Sequence, residues 1–268
     1  MFIRRIHGTF FAVLMPKCIA QLINWQKFHI IPEIVVSTKK LRIFPCFFKD
    51  LSKDPFIKAT KLIIDDREND AYNLLRNYYF HKNKKANLLS LDYFESSSLS
   101  LDEKNMYSCM PWANISRKVF YENIDKVLYS SDMKRKAIEY KLDPESIGNN
   151  QVQSVGILSD ESISVEFERY KFVSKSIRDK GYQKKGNFIN GCIIKKGKNE
   201  VVVVFDGLHK IISLISLGYK KVNVCLNTQN NYIDLDNLSN LNLIKNKIAK
   251  EDSVRQLLDS IFQGEGII

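Results

Sequence analysis

The sequence lacks the paired cysteines that would indicate a metal site or a disulfide framework. Five cysteines are scattered along the chain without any C-x-x-C pair: Cys18, Cys46, Cys109, Cys192 and Cys225. No histidine lies at ligand spacing from them, and most are surrounded by apolar residues. This pattern is typical of reduced thiols that fill the core of a cytoplasmic protein. We therefore expect no structural zinc site.

No hydrophobic run in the N-terminal region is long enough to cross a bilayer. Residues 8–15 are largely apolar and follow two arginines, but Pro16 and Lys17 end the run and no convincing cleavage site follows. We therefore expect a cytoplasmic protein without a transmembrane segment. A membrane-surface contact is the alternative to a folded core element or amphipathic helix here, and it would use Phe10, Phe11, Leu22, Ile23 and Trp25.

Acidic residues are too few to balance the basic ones. The chain has 41 Lys plus Arg against 30 Asp plus Glu, which gives a formal net charge of +11. This excess favours anionic partners such as nucleotides, phosphosugars, nucleic acid or an anionic membrane surface. The alternative is a lysine-rich surface encoded by an A+T-biased genome, which the abundant Asn, Lys and Ile also indicate. With 44% hydrophobic residues, the chain can bury a substantial core, which argues against global disorder.

The chain divides into three predicted parts without an internal repeat. Residues 1–150 form an N-terminal α/β extension, which is either a separate domain or a lid. Within it, residues 30–48 predict two short strands around a turn at 37–40, and residues 71–80 have helical spacing. A break around Gly148 leads into a compact unit at 151–228, and a leucine-spaced helical tail occupies 229–268.

The compact unit is predicted to alternate helices and strands. A helix at 167–177 is ended by Gly181, and strands follow at 189–194 and 201–205. A second helix occupies 211–217, and a last strand occupies 222–226. The uninterrupted β-branched and aromatic residues at 201–205 predict a strand covered on both faces.

The turn after residue 205 is predicted to bind phosphate. Asp206 and Gly207 form an acid–glycine turn, and the first N–H groups of the following helix have no partner within that helix. Those donors, the helix dipole and the side chains of His209 and Lys210 are expected to converge on one point, which favours a phosphate. The alternative is an ordinary turn followed by a polar histidine at its rim.

Three motifs in this region resemble the ParB/sulfiredoxin-like superfamily. They are S-I-R-D-K-G at 176–181, D-G-L-H-K at 206–210, and L-G-Y-K-K-V-N-V at 217–224, within a match that covers about residues 160–226. The resemblance implies an α+β fold with a small mixed sheet and helices. ParB proteins bind CTP and DNA, sulfiredoxins transfer a phosphoryl group to an oxidised cysteine, and the free-serine kinases phosphorylate a small hydroxyl compound.

Departures from each pattern favour the small-molecule kinase. Leu208 stands where a sulfiredoxin has its reactive cysteine, which excludes sulfinic-acid repair. His209-Lys210 replaces the ParB arginine pair and no helix-turn-helix signature follows, which disfavours partitioning and DNA as a partner. The kinase pattern retains Asp206, Gly207 and His209, with Lys210 as a point charge in place of arginine. The resemblance thus implies a nucleotide-dependent phosphotransferase that uses a nucleoside tri- or diphosphate, ATP foremost, with Mg²⁺.

Roles for the individual residues follow from this interpretation. Gly207 permits a positive φ, and His209 with Lys210 would neutralise the transferring phosphoryl group. Asp206 would hold Mg²⁺ or orient His209. The remaining predicted contacts are the backbone at Leu208, the hydroxyl of Ser213 one turn along the helix, and Arg169 as a second phosphate ligand. The base is sought among Glu161, Glu166 and Glu168, and we favour Glu168 because Arg169 stands beside it.

Several alternatives remain open from the sequence. Long-extended ParB-like proteins of this kind resemble members associated with bacterial surface-polysaccharide biosynthesis, so by analogy the acceptor is a sugar or sugar phosphate. Three alternatives involve no phosphoryl transfer. They are a nucleotide-binding switch, a nucleic-acid-binding module, and a scaffold in which Leu208 and Lys210 mark a lost site. The lysine pairs at 195–196 and 220–221 are expected to be solvated turn residues, or else to flank an anionic substrate. Trp112 is expected in the core rather than at a stacking platform.

Overall fold

The computed structural model describes residues 33–82, 110–112, 134–145, 158–183, 188–226 and 231–266. These residues form an α+β structure of helices and one mixed sheet, as predicted. The strands are β1 (Glu33–Ser37), β2 (Leu41–Ile43), β3 (Asn190–Lys196), β4 (Asn199–Asp206), β5 (Lys221–Cys225) and β6 (Tyr232–Asp234). The helices are α1 (Pro55–Ile64), α2 (Glu68–Asn77), α3 (Asp160–Lys180), α4 (Leu208–Ser216), α5 (Asn242–Lys245) and α6 (Glu251–Gln263), with a further short helix at 134–139. The predicted membrane-surface residues, Cys18 and Cys109 lie outside the described residues.

The strands lie in the order β1-β5-β3-β4-β2, and β6 pairs with β3. The β3–β4 and β1–β5 pairs are antiparallel, whereas β2 runs parallel to β4 with Leu41 opposite Val202. The two outer strands of this order therefore come from the segment predicted as an N-terminal extension, and the inner strands come from the predicted compact unit. In the described residues, the two segments share one sheet and one hydrophobic core.

Local signals define the ends of the helices that surround the site. The Asp54 carboxylate accepts hydrogen bonds from the N–H groups of Phe56 and Ile57, and Pro55 occupies the first turn of α1. Ser159 caps α3 in the same way. Helix α3 ends at Gly181, whose φ is 71°. The helix end predicted at Gly181 is confirmed.

Strand β4 lies at the centre of the hydrophobic core. Its residues 201–205 are all buried, which confirms a strand covered on both faces. Trp112 is buried and stacks on the ring of Phe205 with 5.8 Å between ring centroids, so it contributes to the core as predicted. The cysteines that the structure describes, Cys46, Cys192 and Cys225, are buried. Burial raises the pKa of Cys192 well above its usual value.

The segment predicted as a helical tail at 229–268 is only partly helical. It begins with β6, which extends the sheet beside β3, and it continues through turns to α5 and α6. Leu235, Leu238 and Leu241 are buried although they lie outside the helices. Their spacing therefore reflects irregular turns that each bury a leucine, rather than a single amphipathic helix. Throughout the part of the chain that the structure describes, no helix combines the length and apolarity needed to cross a membrane.

The buried Asp54 makes stability depend on pH. Its second oxygen, Oδ2, is buried without a hydrogen-bond partner among the described residues. Burial raises the pKa of Asp54 to about 6, against the opposing effect of the hydrogen bonds from Ile57 and Phe56. Since the folded state favours the protonated acid, this stabilisation is complete below about pH 3.8 and is lost as pH rises through about 6.

We expect the Asp54→Asn variant to lose this pH dependence while it keeps the cap. A shift of roughly two pKa units corresponds to about 2.5 kcal/mol between pH 4 and pH 7. The difference in unfolding free energy between wild type and variant, measured by urea denaturation at both pH values, should change by about this amount. A difference that stays constant with pH would show that Asp54 is ionised normally in the folded protein.

Candidate functional site

The turn between β4 and α4 has the conformation that its sequence demands. Gly207 has φ 72° and ψ 27°, in the left-handed region that glycine adopts without strain. A Cβ atom at this position would lie 2.9 Å from the Phe188 carbonyl oxygen and 3.0 Å from the Cα of Ile189. The positive φ predicted for Gly207 is therefore observed, and close backbone contact is a second reason for glycine.

Asp206 is held in a fixed position at this turn. The Asn190 side chain donates a hydrogen bond from Nδ2 to Asp206 Oδ2 at 2.7 Å, and these two residues are opposite each other in the β3–β4 pair. The Gly207 N–H donates to Asp206 Oδ1, also at 2.7 Å. Asn190 Oδ1 is buried and has no hydrogen-bond partner among the described residues. The turn thus carries an exposed, oriented carboxylate next to an unsatisfied amide oxygen.

Lys210 lies in the first turn of α4, close enough to Asp206 for electrostatic interaction. Partial burial lowers the pKa of the Lys210 ammonium, and the Asp206 carboxylate opposes this effect. In the described residues, Lys210 forms no ion pair at hydrogen-bonding distance. The structure therefore brings Asp206, Gly207 and Lys210 together, and we call these residues with Asn190 the turn cluster.

His209 does not belong to the turn cluster. Its side chain is buried against α3. The Nε2 atom lies 2.7 Å from Glu166 Oε2, and the ring centroids of His209 and Tyr170 are 4.4 Å apart. Successive residues of a helix point about 100° apart, so the packing that buries the inner face of α4 separates His209 from Lys210. The convergence of both side chains on one phosphate, expected from the sequence, is therefore absent from this arrangement.

Glu166, Arg169 and His209 form a triad between α3 and α4, in which Glu166 and His209 are buried and Arg169 is partly exposed. Arg169 Nη1 donates a hydrogen bond to Glu166 Oε1 at 3.0 Å, and the Glu166 side chain is only 2% exposed. Burial tends to raise the pKa of Glu166, but the charges and hydrogen bonds of Arg169 and His209 outweigh it and lower this pKa to about 2. Burial, with repulsion from Arg169, lowers the pKa of His209 despite the attraction of Glu166. Near pH 7 a neutral His209 therefore donates its Nε2–H to a Glu166 carboxylate whose charge is balanced by Arg169.

The remaining predicted site residues lie away from the turn cluster or serve the fold. The Glu168 carboxylate pairs with Lys171, with 3.7 Å between Oε1 and Nζ, whereas the described ion pairs of Arg169 and His209 are with Glu166. Arg169 binds Glu166 in place of the predicted phosphate. The Ser213 hydroxyl donates to the His209 carbonyl at 2.7 Å, and Leu208 is buried in the core.

Glu166 was predicted from the sequence only as one of three candidate bases. The available signal was local, because Glu166 and Arg169 are three residues apart on a predicted helix and therefore adjacent on its surface. Glu168 lies about 200° around the helix from Glu166, so only one of these glutamates can face α4. The partner of Glu166 on α4 could not be identified from spacing, because it is 43 residues away.

The donor set at the turn suits a hard cation only in part. Asp206 supplies exposed carboxylate oxygens, which Mg²⁺ accepts as ligands, whereas the amide oxygen of Asn190 is buried. No group of three or more His, Cys, Asp or Glu side chains able to hold a metal occurs within the described ranges. A Mg²⁺ ion here would thus depend on further oxygens from a bound phosphate, as is usual for this ion.

Comparison with known proteins gives no assignment, because no protein-family model, curated protein or solved structure matches this chain. The site is therefore interpreted from its geometry. Its exposed half is the turn cluster, which combines a fixed carboxylate, a partly buried ammonium and the N-terminus of α4. Its buried half is the triad, which holds α4 against α3 and so fixes the direction of that N-terminus.

Proposed function

We propose that the protein binds the phosphate groups of a nucleotide at the turn cluster and acts as a nucleotide-dependent small-molecule phosphotransferase. The observation that carries this proposal is the placement of Lys210 and the Asn190-held Asp206 at the N-terminus of α4. A helix N-terminus attracts anions through its free N–H groups and its dipole. Lys210 adds a positive charge that no described carboxylate neutralises by an ion pair.

The acid at this turn favours a magnesium-bound nucleotide over free phosphate. The Asp206 carboxylate accepts the Gly207 N–H, so an approaching phosphate meets a negative charge beside that donor. The exposed Asp206 carboxylate would hold Mg²⁺, and the positive charge of the ion would offset this repulsion. Lys210 would then bind the terminal phosphate from the α4 side.

The order of elements supports the proposed relationship to ParB/sulfiredoxin-like proteins. A helix ended by Gly181 is followed by β3, then by β4 with its acid–glycine turn, then by α4 and β5. This is the order in which the resemblance places its three motifs. The acceptor in this proposal is the hydroxyl of a sugar or sugar phosphate, by analogy alone. Glu168, the base expected from the sequence, is left out of this proposal because its carboxylate pairs with Lys171.

A second candidate function is nucleotide binding without turnover. One observation favours it: His209, expected to stabilise the transferring phosphoryl group, is buried and hydrogen-bonded to Glu166. In this case the turn cluster would bind a nucleotide and transmit its presence through α4, and no phosphoryl group would be transferred. The two candidates share the binding site and differ only in chemistry.

The binding step is tested with Lys210→Met and with Lys198→Met as the matched control. Lys198 is an exposed lysine on the β3–β4 turn, so its loss changes the net charge equally. A nucleotide at 100 times its Kd should stabilise the wild type by about 2.7 kcal/mol in thermal unfolding with Mg²⁺. We expect Lys210→Met to weaken binding by about 10- to 100-fold, and Lys198→Met to leave it unchanged. Equal affinities for both variants, or no stabilisation by ATP, ADP, CTP or GTP, would contradict the proposal.

The chemical step is tested by following the terminal phosphate of the nucleotide. Transfer to members of a sugar and sugar-phosphate panel, abolished in Asp206→Asn although that variant still binds nucleotide, would support the phosphotransferase. Binding with neither transfer nor hydrolysis would favour the second candidate. Binding isotherms and product analysis on the same protein samples separate these outcomes.

A further inference from the structure

Four lysines from distant parts of the sequence meet at one corner of the sheet. Lys39 and Lys40 lie in the 3-10 turn that follows β1, while Lys220 directly precedes β5 and Lys221 begins it. Ser37 is opposite Lys221 in the β1–β5 pair, and the Thr38 N–H donates to the Lys220 carbonyl at 3.0 Å. All four lysines are exposed, and we call them the lysine corner.

The charge of the lysine corner is not neutralised by neighbouring acids. Within the described ranges, none of its lysines forms an ion pair with a carboxylate. The other predicted turn lysines behave differently, because Lys195 lies 3.8 Å from an Asp234 oxygen and Lys196 lies 2.6 Å from an Asp259 oxygen. The sequence contains two similar lysine pairs, at 195–196 and 220–221. Carboxylates balance the charge of the first pair, whereas the second pair has no ion-pair partner among the described residues.

Exposed apolar groups lie beside these charges. Val35 on β1 is 47% exposed and Tyr219, which precedes Lys220, is 42% exposed. Val35 and Ser37 project from the same face of β1, and residues opposite each other in an antiparallel pair share a face. Because Lys221 is opposite Ser37, Val35 and Lys221 lie on the same solvent-exposed face of the sheet.

We propose that the lysine corner, with Val35 and Tyr219, docks the protein on an anionic membrane surface. Basic clusters of this size bind anionic lipid headgroups through additive electrostatic attraction. An exposed tyrosine and an aliphatic side chain gain from contact with the interfacial region of a bilayer. Nucleic acid would use the charges and could stack on Tyr219, but its phosphate backbone would gain nothing from Val35. The combination therefore favours lipid over nucleic acid.

The test is sedimentation of the full chain with vesicles of phosphatidylcholine alone or with 30% phosphatidylglycerol, roughly the charge density at which such clusters bind. We expect binding only to the anionic vesicles. Replacement of all four corner lysines by glutamine should lower the partition coefficient by about 100-fold or more. The matched control replaces four exposed lysines elsewhere, Lys61, Lys198, Lys245 and Lys247, by glutamine. It removes the same net charge and should lower binding only a few-fold.

Two further variants separate lipid from nucleic acid. The variant that carries both Val35→Thr and Tyr219→Ser should bind vesicles more weakly than the wild type at fixed salt. The variant with Val35→Thr alone should be retained on a single-stranded oligodeoxythymidine as well as the wild type is. Circular dichroism and thermal unfolding check that each variant is folded. Equal loss of binding in the corner and control quadruple variants would overturn the proposal. So would failure of the wild type to bind anionic vesicles, including the case in which it binds only the oligonucleotide.

Discussion

Replacement of Arg169 by methionine is expected to lower the free energy of unfolding at pH 7.5 by about 3–5 kcal/mol, the usual cost of removing one partner of a buried ion pair. The Glu166 carboxylate would keep its buried position and its hydrogen bond to His209, but it would lose the positive charge that balances it. Urea denaturation of both proteins at pH 7.5 measures the loss.

The pH dependence of the Arg169→Met variant follows from the titration of His209. In the wild type, repulsion from Arg169 helps to lower the pKa of His209. Without Arg169, Glu166 becomes the dominant charge beside the imidazole, so the pKa of His209 should rise. Because the unfolded-state pKa of His209 is the same in both proteins, the difference in stability between wild type and variant should shrink as pH falls through the His209 titration. The His209 resonances in an NMR titration report the shift directly.

A double variant provides the control for this interpretation. Glu166→Leu added to Arg169→Met removes the uncompensated charge, and replacement of a buried ion pair by apolar side chains is often neutral. We therefore expect the double variant to be more stable than Arg169→Met alone. A loss below 1 kcal/mol in the single variant, or simple additivity of the two substitutions, would mean that solvent already balances the Glu166 charge.

Replacement of the buried Arg42 by methionine is expected to lower the free energy of unfolding by about 3 kcal/mol. Arg42 donates from Nε to the Ile261 carbonyl at 3.1 Å and from Nη2 to the Phe262 carbonyl at 2.9 Å, and these carbonyls lie in the last turn of α6. Hydrogen bonds from a charged donor contribute about 1.5–3 kcal/mol each, and the guanidinium also complements the negative end of the α6 dipole. Methionine fills a similar space but leaves both carbonyls without this donor.

The Arg42→Lys variant separates charge from geometry. Lysine retains the positive charge near the α6 dipole but cannot reproduce the two divergent N–H donors, so it should restore only part of the stability. Amide hydrogen exchange should show α6 losing protection before β3 and β4 in Arg42→Met, because the cap acts on α6. Uniform loss across the sheet would instead indicate that Arg42 stabilises the whole core through its position on β2.

The sequence predicted much of the local structure because the signals involved act within a few residues. The end of α3 at Gly181 depends on a backbone conformation that glycine favours. The strand of five consecutive buried residues at 201–205 and the positive φ of Gly207 were likewise predictable from the residue types at those positions. The candidate site was predictable to this extent: the position of the turn, its glycine and the neighbouring Asp206 and Lys210.

The sequence could not predict which way each candidate side chain points. The direction of His209 depends on which face of α4 is buried, and this follows from the packing of α4 on α3. The same packing selects Glu166 instead of Glu168. A prediction that placed every polar residue of the motif around one phosphate therefore ignored the polar groups that the core itself requires.

The sequence by itself determined the strand at 201–205, the turn at Asp206-Gly207 and the end of α3 at Gly181, since each is encoded by residues adjacent along the chain. Only the tertiary structure decided the rest: the pairing of His209 with Glu166, the cap from Arg42 to α6, and the meeting of Lys39 and Lys40 with Lys220 and Lys221. These contacts join residues separated by 43, about 220 and about 180 positions. Such contacts form only when burial of the hydrophobic core brings the elements together, and so no local pattern can specify them.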